Sequence, residues 1–257
     1  MASSTSRVSI AGGGEFAVRR VYCVGRNYWA HAVEMEERGK ALGIAGDPRE
    51  APFFFQKSSF DAVVDCAADI ATTVPYPSLT SQLEFEVEVV VGLVGSGSDV
   101  PVDEAAGLAG YVGVGCDLTR RDLQTEAKAK RRPWDAAKSF DFSAPCGQLV
   151  PLTPEDLVLA NPEGCVLELA KNGHVHQRTT LDLMIFSVAE CIAELSKEVA
   201  LKPGDLIFTG TPAGVNDLKP GDDVLCSLYT SGPAEEKRAF LLPSCHFSIG
   251  NPRPPTD

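Results

Sequence analysis

The chain has 257 residues, 44% of them hydrophobic, enough for a substantial core in one large domain or in a domain with a small appendage. Its formal charge of −12 lacks the Lys and Arg excess that neutralises phosphate, which argues against nucleic acid or an anionic membrane as partner. Eight cysteines stand without a CxxC pair or zinc-type spacing and read as reduced, buried thiols, and no apolar run approaches the roughly 18 residues of a membrane helix.

Met1 to Arg7 is a Ser-rich, acid-free tail, read as disordered in preference to a transit peptide. A short strand over Arg20 to Val24 leads to Asn27, a suitable N-cap for a helix to about Arg38 with Gly39 as its stop. Gly39 to Pro52 is polar and holds Gly and Pro, so it is expected as a loop; short β-prone pieces follow from Pro52 to Val74. The division expected is 1–55 for tail, strand, helix and loop, and 56–257 for the main body.

The segment Leu83 to Val91 alternates acidic and apolar side chains. In a strand, Glu84, Glu86 and Glu88 then share one face, with Phe85, Val87 and Val89 behind. Like charges this close raise one another's pKa unless a cation sits among them, and a divalent ion is the obvious candidate. The plainer reading is a solvated acidic face on an antiparallel strand, with Val90 against the metal.

Further on, a helix over Val102 to Leu108 precedes a strand Tyr111 to Cys116 that delivers Asp117. Thr119 and Asp122 resemble a capping box for a helix to about Lys130. The basic run Lys128 to Arg132 reads as electrostatic capping of that helix. An amphipathic helix fits Leu183 to Ser196, and a strand Asp205 to Phe208 feeds the turn Thr209 to Gly214. Without repeats or regular strand–helix alternation, the pattern favours α+β over a doubly wound sheet.

Several positions carry chemistry. His31 and Glu34 lie three apart on one helix face, where a carboxylate can fix an imidazole tautomer and raise the basicity of its other nitrogen; a surface ion pair is the ordinary alternative. Arg121 and Gln124 share a helix face and could grip a substrate carboxylate, or simply be solvated. Lys138 is a lone cation among small and apolar residues, either snorkelling or paired with acids. The turn around Thr211 offers hydroxyls and amides to an anion but lacks the ending of a phosphate loop.

The order of Gly25-Arg26-Asn27-Tyr28, His31 and Glu34, Glu86-Val87-Glu88, Gly115 to Gln124, Ala137 to Asp141, Met184-Ile185-Phe186 and Thr209 to Val215 resembles the fumarylacetoacetate hydrolase family, in its acylpyruvate and fumarylpyruvate hydrolase branch. The resemblance spans about residues 20 to 230. It implies a mixed β-sandwich roll, usually a homodimer. It also implies Glu86, Glu88 and Asp117 as ligands of Mg²⁺, with Mn²⁺ or Ca²⁺ as alternatives, and His31 with Glu34 as a catalytic pair on a lid. Lys138 becomes an active-site cation, and Arg121, Gln124 and Thr211 become contacts to a small 2-oxo acid. Two departures stand out: Glu84 and Phe85 replace a His-His pair common in relatives, and Leu181 replaces a Thr. The implied reaction is hydrolysis of the C–C bond of an acylpyruvate to pyruvate and an acid, with pyruvate leaving as its enolate. The alternatives are oxaloacetate decarboxylation or hydroxydienedioate isomerisation at the same site, and, from another class, a non-catalytic carboxylate or metal binder. The compartment expected is cytoplasmic, with mitochondrial as the alternative.

Overall fold

The computed structural model describes residues 6–38, 49–66, 71–152, 164–230 and 242–252; ten residues of the expected Gly39 to Pro52 loop, 39–48, lie outside these. Two large mixed sheets form the body. The first runs in the order Phe53–Lys57, Arg20–Gly25, Asp205–Phe208, Val87–Leu93, Ala109–Cys116, Ala144–Gly147, Val63–Cys66, with Val150–Pro151 also paired to Ala109–Cys116. The second runs His174–Thr180, Cys165–Lys171, Asp223–Thr230, Cys245–Gly250, Thr72–Pro75. Most pairings are antiparallel, but Arg20–Gly25 runs parallel to Asp205–Phe208, and Cys245–Gly250 parallel to Thr72–Pro75. The architecture is α+β, as expected.

The strand Val87–Leu93 is buried along its whole length. Val87, Val89, Val91 and Leu93 enter the main core, with Leu167, Leu169, Val224 and Phe247 of the second sheet and Ile192 and Leu195 of the helix Val188–Glu198. Val90 points the other way, into a second cluster with Val21, Leu206 and Phe208. An apolar residue on the same face as Glu88 is thereby explained: that face is covered beyond the carboxylate, so the solvated acidic face is overturned. All eight cysteines are buried and unpaired as disulfides.

Four local expectations are corrected. Glu84 does not continue the strand of Glu86 and Glu88. Leu83–Glu84 joins a separate three-stranded sheet with Thr119–Arg120 and Asp217–Leu218, and the chain breaks at Phe85-Glu86 before the next strand starts. The helix Trp29–Glu37 is preceded by Tyr28 at its N-cap, not Asn27, and the cap makes no side-chain hydrogen bond. No capping box forms at Thr119; the helix Arg121–Ala129 starts after Arg120, and the Asp122 carboxylate accepts from Thr80, Ser81 and the Leu123 amide. The later helix begins at Val188, five residues after Leu183, with a capping box between Ser187 and Glu190.

Asn27 has another task. Fully buried, it donates from Nδ2 to the carbonyls of Phe186 (2.9 Å) and Thr209 (2.8 Å), and its Oδ1 accepts from the Phe186 amide (2.8 Å). It pins the segment leading into the helix Trp29–Glu37 to the turn after Asp205–Phe208. Asn27→Ala leaves several buried polar groups unpaired, at about 1–3 kcal/mol for each. We expect it to lower unfolding free energy by at least about 2 kcal/mol in urea melts, with an unchanged m-value; an unchanged midpoint would refute the pinning role.

Candidate active site

Glu86, Glu88 and Asp117 offer one carboxylate oxygen each, and these oxygens all lie within 4.8 Å of one another; all three residues are buried. The sheet register makes the cluster. Glu88 pairs with Gly115 across Val87–Leu93 and Ala109–Cys116, Asp117 follows directly on that strand, and its amide donates to the Glu86 carbonyl (2.8 Å). Gly115 is required there, because a Cβ would come within 3.0 Å of the Pro145 carbonyl, Val90 and Phe208.

The counter-charges are unevenly shared. Lys138 Nζ, itself buried, donates to Glu86 Oε2 and Asp117 Oδ2, both at 2.6 Å. Burial opposes the charge on Lys138, but Asp117 and Glu86 outweigh it and hold its pKa above the ordinary value. Burial likewise opposes ionisation of Glu86, yet the Lys138 ammonium and the Arg121 guanidinium hold its carboxyl well below the usual carboxylate range. Glu88 is different. Its donor is the Gly210 amide (2.8 Å), and burial, then Asp117 and Glu86, push its carboxyl well above the ordinary value. Gly210 has φ +100°, and a Cβ there would stand 2.6 Å from that of Asn27, so glycine alone lets this amide reach Glu88.

Asp117 Oδ1 is a buried oxygen with no aligned donor. Lys57 Nζ approaches it to 2.7 Å as an ion-pair partner, but its hydrogen bonds go to the carbonyls of Leu118 (3.1 Å) and Lys138 (2.5 Å). A carboxylate oxygen held by an ion pair alone, beside a like-charged, poorly compensated neighbour, suits a hard divalent cation. The all-oxygen donor set suits Mg²⁺ or Mn²⁺ better than zinc.

His31 Nδ1 stands 3.3 Å from Glu34 Oε2, and the Glu34 carboxylate also accepts from the Gly214 amide at 3.2 Å. His31 lines the same cleft as Glu86, Glu88 and Asp117, together with Arg121, Gln124, Lys138 and Thr211. The cleft is open to solvent, and the empty space within and at its mouth is about 520 Å³. All nine side chains singled out in the sequence therefore gather in one region, Glu34 behind His31.

Arg121 is committed more heavily than its sequence context suggests. Its Nε donates to Glu84 (2.6 Å), Nη1 to Gln124 Oε1 (2.6 Å), and Nη2 to Glu86. Glu84, fully buried, also receives Arg38 Nη2 from the C-cap of the helix Trp29–Glu37 (2.6 Å) and Gln82 Nε2 (2.9 Å). Glu84, the residue in place of a His, thus orients Arg121 against Glu86. Thr211 accepts from Gln177 Nε2 (2.8 Å), while Gln177 Oε1 accepts from the Val87 amide (2.9 Å).

The sequence reading missed Lys57 and Gln177. Lys57 ends an aromatic run much as Lys138 sits among alanines, the same lone-cation signal. Gln177 stands in a polar strand and carries no local signal at all.

Among the described residues no helix is long and apolar enough to cross a membrane. The fumarylacetoacetate (FAA) hydrolase C-terminal family matches residues 20–237 of the chain. A fumarylpyruvate hydrolase of Ralstonia sp is 37% identical over 193 residues, 72% of this chain and 95% of that protein. A mitochondrial oxaloacetate tautomerase of Rattus norvegicus is also 37% identical, over 209 residues, 80% of this chain and 85% of that one. The crystal structure of fumarylpyruvate hydrolase from Pseudomonas aeruginosa in complex with Mn²⁺ and pyruvate superposes with TM-score 0.83 at 37% identity, covering 98% of both chains.

Proposed function

The chain belongs to the fumarylacetoacetate hydrolase family, and within it we propose that the protein is a divalent-metal-dependent hydrolase cleaving the C–C bond of an acylpyruvate, fumarylpyruvate or a near relative. The observation that carries this is one cleft lined by both a carboxylate trio and His31, with Glu34 behind the imidazole: a binder needs the trio, and hydrolysis needs both. The similarity to fumarylpyruvate hydrolases of Ralstonia and Pseudomonas aeruginosa supports it.

Glu86, Glu88 and Asp117 would hold the ion, Mg²⁺ first, which supplies Lewis-acid polarisation and charge stabilisation for a 2-oxo carboxylate. Glu34, held by the Gly214 amide, accepts the Nδ1 proton of His31 and leaves Nε2 free to take a proton from water. The hydroxide so formed adds to the C4 carbonyl. The C3–C4 bond then breaks, its electron pair passes to the pyruvate fragment as an enolate, and the acyl fragment leaves as a carboxylic acid. The proton on Nε2 returns to C3 and gives pyruvate. Lys138 keeps Glu86 and Asp117 ionised and aimed, and its ammonium charge favours the enolate. Arg121 and Gln124, locked to each other, and Thr211 present donors along the cleft wall for the substrate carboxylate. Closure of the Trp29–Glu37 helix, a lid in this reading, would exclude water from the site.

A second reading has support of its own in the oxaloacetate tautomerase similarity. Keto–enol interconversion of oxaloacetate uses the same metal and the same proton acceptor without breaking a bond between carbons. One assay decides between them. Purified protein with Mg²⁺ is given fumarylpyruvate, acetylpyruvate and oxaloacetate in separate reactions, with pyruvate release coupled to lactate dehydrogenase and the oxaloacetate enol followed by its absorbance. Pyruvate from an acylpyruvate supports the hydrolase. Enol loss from oxaloacetate with every acylpyruvate left intact replaces it with the tautomerase.

A further inference from the structure

One buried side chain that the reaction above does not use holds both the peptide between Glu86 and Glu88 and the turn that carries Thr211. The strand Val87–Leu93 outruns its neighbour: Asp205–Phe208 pairs with Val90, Val91 and Gly92, and just past its end the Thr209 amide reaches the Val89 carbonyl (3.1 Å). Val87 presents its backbone groups on the same edge, two residues further out. There a side chain takes over from the ladder, and the Val87 amide donates to Gln177 Oε1 (2.9 Å).

Gln177 is fully buried on the strand His174–Thr180. Its Nε2 donates to the Pro212 carbonyl and to Thr211 Oγ1, both at 2.8 Å. Chemistry dictates that orientation, since a backbone amide only donates and a carbonyl only accepts: oxygen must face Val87 and nitrogen Pro212. The same strand grips both segments a second time. The His176 ring meets Phe85 edge-on at 5.6 Å, and the His176 carbonyl lies where a Cβ on Gly214 (φ +101°) would come within 2.1 Å.

The consequence falls on Thr211, which lines the cleft. A hydroxyl has one hydrogen to give and two lone pairs to receive with. Gln177 occupies a lone pair, and among the described residues the hydroxyl hydrogen has no acceptor. A hydroxyl that is already accepting is the stronger donor, and its best match is an oxygen bearing negative charge.

We propose that Gln177 is a positioning residue with two roles: it fixes the peptide between Glu86 and Glu88 for the metal, and it sets the Thr211 hydroxyl as a donor to an anionic oxygen of the bound 2-oxo acid. The second role deepens the proposed function and rests on its reading of the cleft as a 2-oxo acid site; the first rests on the metal site alone.

Two calorimetric titrations of the full chain carry the test, Mg²⁺ alone and then pyruvate, which is not cleaved, onto the Mg²⁺-loaded protein. Gln177→Met fills the space but grips neither partner. It should raise the Mg²⁺ Kd by about threefold or more and the pyruvate Kd by about tenfold, the effect of one lost hydrogen bond to a charged group. Gln177→Glu separates the two roles. A carboxyl there holds at most one proton, which the Pro212 carbonyl takes, so in either charge state one oxygen still receives the Val87 amide and the other turns the Thr211 hydroxyl away from the ligand. Mg²⁺ should then bind no more weakly than to the wild type, while pyruvate affinity should fall about tenfold, to the level of Thr211→Val. Thr211→Ser should keep wild-type affinity, and in the Thr211→Val background Gln177→Glu should change the pyruvate Kd by less than about twofold, whereas a merely structural defect would multiply the two penalties. Multiplied penalties, or Mg²⁺ affinity unmoved by Gln177→Met, overturn the positioning roles; if Gln177→Met does not fold, the Gln177→Glu cycle decides alone. Wild-type protein that binds Mg²⁺ but no pyruvate refutes the 2-oxo acid reading instead, and the Mg²⁺ titration of Gln177→Met still scores the first role. Hydrolase against tautomerase is scored apart from both, by fumarylpyruvate cleavage.

Discussion

Asp117→Asn is expected to lower kcat/KM for acylpyruvate cleavage by about 10³-fold, because a bound metal is worth several kcal/mol of transition-state charge stabilisation and each 1.36 kcal/mol is tenfold. Mg²⁺ affinity should fall in parallel, read by calorimetry or by Mn²⁺ titration. Glu88→Gln should do the same to both quantities, yet the two variants should part in stability. Asp117 is the shared partner of Lys57 and Lys138, and neutralising it leaves two buried ammonium groups short of a counter-charge, a loss of about 3–5 kcal/mol. Glu88 has burial and two like-charged neighbours against it, so its amide removes a repulsion and the metal-free protein should melt higher. Opposite shifts in the metal-free melting temperature, with a common loss of metal binding, are the signature of a carboxylate trio assembled for a cation. Undiminished Mg²⁺ binding in both variants would remove the metal from the mechanism.

The second large effect separates water activation from charge stabilisation. His31→Ala and Glu34→Gln should each reduce acylpyruvate hydrolysis by roughly 10²- to 10⁴-fold, the range for a positioned general base. Metal affinity should stay nearly intact, because neither residue is among the three converging carboxylates. Decarboxylation of oxaloacetate needs enolate stabilisation and no attacking water, so any such activity should survive Glu34→Gln far better than hydrolysis does. Lys138→Ala, which frees Glu86 and Asp117 from their common partner, should depress both activities. If His31→Ala loses Mg²⁺ binding to the same degree as turnover, the division between base and metal site is wrong.

Much of this site was legible because its parts are local patterns. The i, i+3 spacing puts His31 and Glu34 on one helix face, two-residue alternation aligns Glu86 with Glu88, and Asp117 ends a strand before a helix. What escaped is set by sheet register across the chain. Glu84 reads as a third member of the acidic face, but the break at Phe85-Glu86 sends it to another sheet, where Arg38 and Arg121 claim it. Asn27 looks like a helix cap by composition, yet it bonds to Phe186 and Thr209, more than 150 residues away. Lys57 meets Asp117, and Gln177 meets Thr211 and Val87, only once both sheets have closed. No window of sequence contains both partners of any such pair.

The eight buried thiols also turn the protein into its own record of opening. A thiol reacts as thiolate, and burial raises the pKa of Cys23, Cys146, Cys226 and Cys245 well above the ordinary value. In the closed fold none of them meets an alkylating reagent, so each is labelled only as fast as its own strand, or for Cys191 its helix, comes away. Cys23 reports on the strand leading into Arg26 and Asn27, Cys116 on the strand carrying Asp117, and Cys226 and Cys245 on a cross-strand pair in the other sheet. Mass spectrometry of a pulse-alkylated sample therefore yields a map of local opening free energies, strand by strand, without a single introduced probe.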